Sequence, residues 1–199
     1  MNDYLQLEYS ANLTSNSFLL FESIETARLL VSGLSWDECK AQIDAENLYN
    51  YTSRKWISQK FNAIKRRFLR LNADLITLIA QGDHSTAALT TLYAIFKHEP
   101  IFGEFLTEVF LEKGRRSGKA LGPADLHLFL NEKATLDSRV AAWKDSTRKK
   151  LWDVFRRILV KAGLMDRSGM AIRQIMDSGL KDILIALDEY QFTKCVEGF

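Results

Sequence analysis

The stretch Ser53-Arg-Lys-Trp-Ile-Ser-Gln-Lys-Phe-Asn-Ala-Ile-Lys-Arg-Arg-Phe-Leu-Arg-Leu71 decides how the rest of the sequence is read. At 100° per residue, Ile57, Phe61, Ile64, Phe68 and Leu71 fall within an arc of about 80°, which predicts an amphipathic helix held by one apolar stripe. On the opposite side Lys55, Gln59, Asn62, Arg66 and Arg70 form a continuous ridge. Arg and Lys are the side chains that hydrogen-bond guanine edges, and Asn and Gln those that bond adenine. Ser53, Arg54 and Lys65 flank the ridge where phosphate contacts would lie. The stretch holds seven basic residues and no acid. Solvated helix faces usually mix the two signs. Contact with nucleic acid is therefore the leading expectation, ahead of an acidic protein partner or a merely solubilising face.

Upstream, Ser17 to Val31 is predicted as a first helix, with Gly33 as its stop. Ser35-Trp-Asp-Glu38 has the form of a capping box opening a second helix that runs to about Glu46. A polar turn, Asn47 to Tyr51, leads to Thr52 or Ser53 as the cap of the third. Three helices with short joints, the last one basic, are the skeleton of a helix-turn-helix module. Residues 4–9 alternate well enough for a short strand.

Downstream the pattern stays helical from Ala73 to Lys113, broken at Gly82-Asp83 and His98-Glu99-Pro100. Lys113 to Pro123 is loop-rich. Ala124 to Lys144 gives one or two helices, and another starts near Ser146 with Leu151, Val154, Phe155, Ile158 and Ala162 as its buried stripe. Leu164 to Ile175 carries the turn signal Asp166-Arg-Ser-Gly169, suggesting a small β-hairpin. A last helix covers Ser178 to Cys195. Helix followed by hairpin is the winged variant of the same module. The expected fold is thus an all-α multi-helix bundle with helix-turn-helix and winged-helix-like parts. It divides into 1–113 and 124–199 around a linker at 114–123.

Charge is unevenly spread behind a net value of only +2. Residues 1–50 carry two cations against eight acids, and residues 144–161 carry seven cations against two acids. Such concentration suggests polyanion binding better than the net charge does. Around the helix starting near Ser146, Arg148, Lys149, Arg156 and Arg157 are candidate phosphate contacts, although Asp153 and Val160 interrupt that surface. The segment Gly114-Arg-Arg-Ser-Gly118-Lys119-Ala120 is one residue short of a phosphate-binding GxxxxGK loop. It also has Ala where Ser or Thr would bind magnesium. It is better read as a basic linker, with Arg115, Arg116 and Lys119 able to touch a DNA backbone.

Other classes find no residues to carry them. His84, His98 and His127 are far apart and match no metal-ligand spacing. Cys39 and Cys195 form no CxxC, so a disulfide or zinc site is not expected and a reducing cytoplasm is. No stretch approaches the roughly 18 apolar residues needed to cross a bilayer, and the N-terminus lacks a signal-peptide pattern. Neither catalysis nor a cofactor is expected, and core packing is the expected role of tryptophans 36, 56, 143 and 152.

Several segments, spread in order over most of the chain, resemble the BrxA family of bacteriophage-exclusion (BREX) defence systems. They are Tyr9-Ser-Ala-Asn-Leu-Thr14, Ala27-Arg-Leu-Leu30, Ser35-Trp-Asp-Glu38, Glu46-Asn-Leu-Tyr49 leading into Ser53-Arg54, Ser146-Thr-Arg-Lys149 and Ile158-Leu-Val-Lys-Ala-Gly-Leu164. The resemblance implies a small, all-helical, non-enzymatic protein whose fold is compared with NusB-like helical proteins and with winged-helix modules. It implies double-stranded DNA binding beside a methyltransferase, an ATPase and a phosphatase-like protein of the same system. A protein–protein adaptor and an RNA-binding protein of the NusB type remain the alternatives.

Overall fold

The computed structural model describes residues 7–198, apart from the side chains of Arg115 and Arg116. Half of the strand expected at residues 4–9 therefore lies outside the described residues, and residues 7–9 form no ladder. The architecture is all-α. A 3-10 turn at Asn12–Thr14 precedes α1 (Leu20–Val31), α2 (Trp36–Glu46), α3 (Arg54–Phe68), α4 (Ala73–Gln81), α5 (His84–His98) and α6 (Pro100–Glu104). The axis of α6 continues as a π-helical stretch, Phe105–Arg116. Then come α7 (Pro123–Leu136), α8 (Ser138–Ala141), α9 (Asp145–Lys161), α10 (Ser178–Ala186) and α11 (Tyr190–Glu197).

Local chemistry accounts for the boundaries. Ser35 and Glu38 form the reciprocal capping box at the start of α2, satisfying two backbone donors that the first turn leaves free. Asn72, Asp83 and Asp177 each accept a backbone N–H and so start α4, α5 and α10. Pro100 and Pro123 occupy first-turn positions of α6 and α7, where proline's missing N–H costs nothing. Ser53 stands at the N-cap of α3, but its side chain makes no capping hydrogen bond.

Some expectations are corrected. The single last helix expected from Ser178 to Cys195 is two, α10 and α11, parted at residues 187–189, where Asp188 takes a left-handed conformation (φ 60°). The first helix begins at Leu20 and not at Ser17, because Leu19 adopts a left-handed conformation (φ 55°). The carbonyls of residues 15–18 point instead at basic side chains of α3. The hairpin expected between Leu164 and Ile175 contracts to one antiparallel bridge, Met165 with Ala171. Beyond that bridge the chain pairs with α11: Gln174 N–H donates to the Val196 carbonyl (3.2 Å) and Met176 N–H to Glu197 (3.3 Å). The next ladder pair, Leu164 with Ile172, is left half-made, because the Leu164 N–H donates instead to the Leu159 carbonyl (2.9 Å) at the end of α9.

Two apolar clusters build the interior. The smaller one joins Ala27 of α1, Cys39 and Ile43 of α2, Ile57, Phe61, Ile64 and Phe68 of α3, and Ile79 of α4. The larger one is centred on Leu92, Phe102, Phe105, Phe155, Ile158 and Phe192, with Phe155 in edge contact with Phe102 at 4.9 Å. Leu71 packs against both clusters. Residues 10–18 form a strap between them. Leu13 and Phe18 are buried in the larger cluster, and the turn holding Leu13 packs on α9. The backbone that follows Leu13 is bound by α3 of the smaller cluster.

Candidate nucleic-acid interface

α3 divides its charge between two sides. Ile57, Phe61, Ile64 and Phe68 of its apolar stripe are buried and Leu71, just past its end, is partly so, but two of the seven basic residues turn inward. Arg67 is 2% exposed and Lys60 5%. Arg67 donates Nη1 to the Ser17 carbonyl (2.9 Å) and Nη2 to the Asn16 carbonyl, with Nη1 also 3.5 Å from the Phe18 carbonyl. Lys60 donates to the Ser15 carbonyl and to Asn16 Oδ1 (3.3 Å), and its ammonium lies 5.1 Å from the centre of the Trp56 ring. Burial pushes both groups down, Arg67 to about 10, so its guanidinium stays charged at neutral pH. Sequence reasoning missed this duty. The available signal was angular: Lys60 and Arg67 sit to one side of the stripe and not on the ridge.

The ridge itself faces outward. Lys55, Asn62, Arg66 and Arg70 are exposed, Gln59 is half-buried, and of the flanking residues Arg54 is exposed while Ser53 and Lys65 are half-buried. Arg70 lies two residues past the end of the helix, in the turn before α4. Lys65 is steered by Trp36, whose ring is 5.4 Å from its ammonium and packs edge-on against Phe61 (6.0 Å) and Phe68 (6.4 Å). Trp36 thus fulfils a core role, as does the buried Trp152. Trp56 does not. It is 52% exposed at the start of α3, between Lys55 and Lys60.

Beneath the ridge lies a polar layer. His98, at the end of α5, is pushed down to about 4 by burial and by the nearby Arg67, Arg66 and Arg70. Its Nδ1 is buried without a hydrogen-bond partner among the described residues. Glu99 is raised by burial, against the pull of Arg67, and accepts a hydrogen bond from Ser10 (3.1 Å).

The second basic region separates into two parts. Arg148 donates to Asn131 (2.7 Å) and approaches the Val140 carbonyl (3.4 Å). Together with Lys149 it borders a cleft of about 760 Å³ between α7 and α9, floored by Leu126, Leu130 and Trp152. Arg156 and Arg157 lie further along α9 in a different hollow, shared with Lys161 and Arg167. The structure therefore does not bring the four predicted α9 contacts together. Lys119 is exposed, and its segment is tied to the turn after α9 by the Leu121 N–H donating to the Gly169 carbonyl (2.9 Å). The side chains of Arg115 and Arg116 lie outside the described residues. Among the described residues, no three His, Cys, Asp or Glu converge as a metal site, and no helix is long and apolar enough to cross a membrane.

Comparison with known proteins is consistent from end to end. A BREX protein BrxA of Bacillus cereus is 31% identical over 79% of this chain and 78% of its own length. One from Paramagnetospirillum magneticum is 25% identical over 95% of this chain and 96% of its own. A crystal structure of an uncharacterized protein from Magnetospirillum magneticum superposes with a TM-score of 0.83, covering 97% of this chain and all of that one, at 24% identity. That likeness concerns the fold. The family model for BrxA matches residues 7–187, and the chain belongs to the BrxA family.

Proposed function

We propose that this protein is a non-enzymatic accessory component of a BREX phage-defence system and that it works by binding double-stranded DNA. Its curated relatives are named BREX proteins, which supports the defence role and makes the other components of such a system its expected protein partners. The observation that carries the DNA reading is the outer face of α3. Lys55, Asn62 and Arg66 are exposed along it, Arg70 is exposed just beyond its end, and the helix itself contains no acid. A helix of this kind offers base-edge donors in its middle and phosphate contacts at its borders. Arg156 and Arg157 of the second basic region and Lys119 of the segment before α7 add backbone contacts.

The test is fluorescence anisotropy with a labelled duplex, competed by single-stranded DNA and by RNA at two salt concentrations. Affinity should fall steeply with salt, since each neutralised phosphate contributes a slope of about −0.9 in log K against log salt. Lys55→Glu, Arg66→Glu and Arg70→Glu combined should weaken duplex binding by roughly 100-fold or more. Unchanged affinity in that variant would remove α3 as the binding surface, and a preference for RNA would favour the NusB-type alternative.

One observation favours an adaptor as the second reading. The cleft between α7 and α9 is lined mainly by apolar side chains, and Leu128 at its edge is 62% exposed. Exposed leucine beside an apolar groove is a feature of protein-binding surfaces. Capture of a defence component that survives high salt, by a protein that shifts no duplex at low salt, would select this reading.

A further inference from the structure

We propose that Arg156, Arg157 and Lys161 of α9, together with Arg167 of the turn that follows, form a discrete binding site for phosphate groups of a polynucleotide backbone. The site is separate from the α3 ridge and rests on the duplex-binding reading above. Lys161 and Arg167 are its new members.

The four cations line one hollow of about 400 Å³ with Asp153 and Val160. Four positive charges face one negative one there, a density that draws an anion unless it is neutralised from within the protein. Among the described residues no acid other than Asp153 lines the hollow, which leaves a net positive surface suited to an anion from outside. Guanidinium groups suit this ligand, because their planar fork matches two phosphate oxygens at once.

The turn that presents Arg167 is built to hold its shape. The Asp166 carboxylate accepts from the Ser168 N–H (2.8 Å), the Ser168 hydroxyl (2.7 Å) and the Met170 N–H (2.9 Å). Gly169 has φ +92° and lies so close to Leu121 that a Cβ there would meet the Leu121 carbonyl oxygen at 2.4 Å. On the side facing α9, the Arg156 guanidinium donates to the Arg167 carbonyl oxygen (2.6 Å). That bond joins helix to turn through the backbone, so the Arg167 side chain is left exposed and is not needed to hold the turn. A turn fixed at three points and carrying one exposed arginine beside three helical cations has the rigidity expected of a positioned binding group.

Phosphate chemistry could come from a duplex backbone or from a small polyphosphate, and the proposal commits to the backbone. The protein carrying Lys161→Gln and Arg167→Gln is compared with the parent by duplex anisotropy across a salt series, with tripolyphosphate as competitor. Both residues are exposed, and Arg167 holds the turn only through its main chain, so circular dichroism and melting should be unchanged. The expected result is a loss of 10-fold or more in duplex affinity, with a salt slope shallower by about 2. Parent and variant binding the duplex alike, with equal slopes, overturns the site and leaves the α3 reading intact. A parent that binds no duplex overturns the functional reading itself. Tripolyphosphate bound tightly by the parent and displaced only by other small polyphosphates overturns the assignment to a backbone.

Discussion

Arg66 and Arg67 are chain neighbours with the same chemistry, and the structure gives them opposite duties that stability can separate. In Arg67→Met the buried guanidinium is lost, together with its bonds to the carbonyls of Asn16 and Ser17 and its approach to that of Phe18. Hydrogen bonds to charged groups contribute about 1.5–3 kcal/mol each, so two or three amount to roughly 5 kcal/mol. Removing a buried charge returns part of that, because the cost of keeping it from water disappears. Against this return, Glu99 stays buried beside the site without the cation that favours its ionised form. The balance should be a destabilisation of about 3–4 kcal/mol, in the range found when one member of a buried ionic group is removed. For a chain of this size that lowers the melting temperature by about 6–16 °C. Arg66→Met should stay within about 0.5 kcal/mol of the parent and lose duplex affinity instead. Urea denaturation at pH 7 reads the first effect and anisotropy the second. If Arg67→Met melted like the parent, or if the two variants were equally destabilised, the inward assignment of Arg67 would be wrong.

His98 makes stability pH-dependent. Its folded pKa, about 4, lies below the unfolded value near 6.5, so between these values only the unfolded chain takes up the proton. Stability should therefore fall as pH drops from about 6.5 towards 4, and urea midpoints at pH 7 and pH 5 should differ less in His98→Gln than in the parent. Leu13→Ala should cost about 3 kcal/mol, since Leu13 of the strap is fully buried in the larger cluster; an unfolding free energy within about 1 kcal/mol of the parent would mean that the strap is not packed there. Gly169→Ala forces a Cβ against the Leu121 carbonyl in a left-handed conformation. It should cost about 2 kcal/mol and speed hydrogen exchange at the Leu121 N–H, with unchanged exchange counting against the fixed turn.

Many helix boundaries were legible because they are written in short-range chemistry: the Ser35 capping box, the break at Gly82-Asp83, the prolines at 100 and 123, and the apolar spacings of α3 and α9. The family resemblance, too, was visible in scattered short segments, and the family match bears it out. Long-range partnerships were not legible. Nothing near Ser17 announces that its carbonyl will be taken by a side chain 50 positions away, and that pairing delays the first helix to Leu20. For the same reason Lys60 and Arg67 counted as surface charge in the sequence. Arg167 escaped notice because a single arginine in a turn has no periodicity. Its significance comes only from the α9 cations that the fold sets beside it.

The strap of residues 10–18 also carries a consequence for the order of folding. It has little regular structure of its own, and its anchors are far away in sequence: α3 some 50 residues on, and the larger cluster beyond that. Neither anchor exists until helices from both clusters have assembled, so the strap should dock last. Weakening it through Leu13 or Arg67 should then accelerate unfolding while leaving the refolding rate almost unchanged. Hydrogen exchange within it should report an opening smaller than global unfolding. In that opening α3 would lose the contacts that hold its inner charges, so the lifetime of the closed strap sets how long the outer ridge keeps its native alignment.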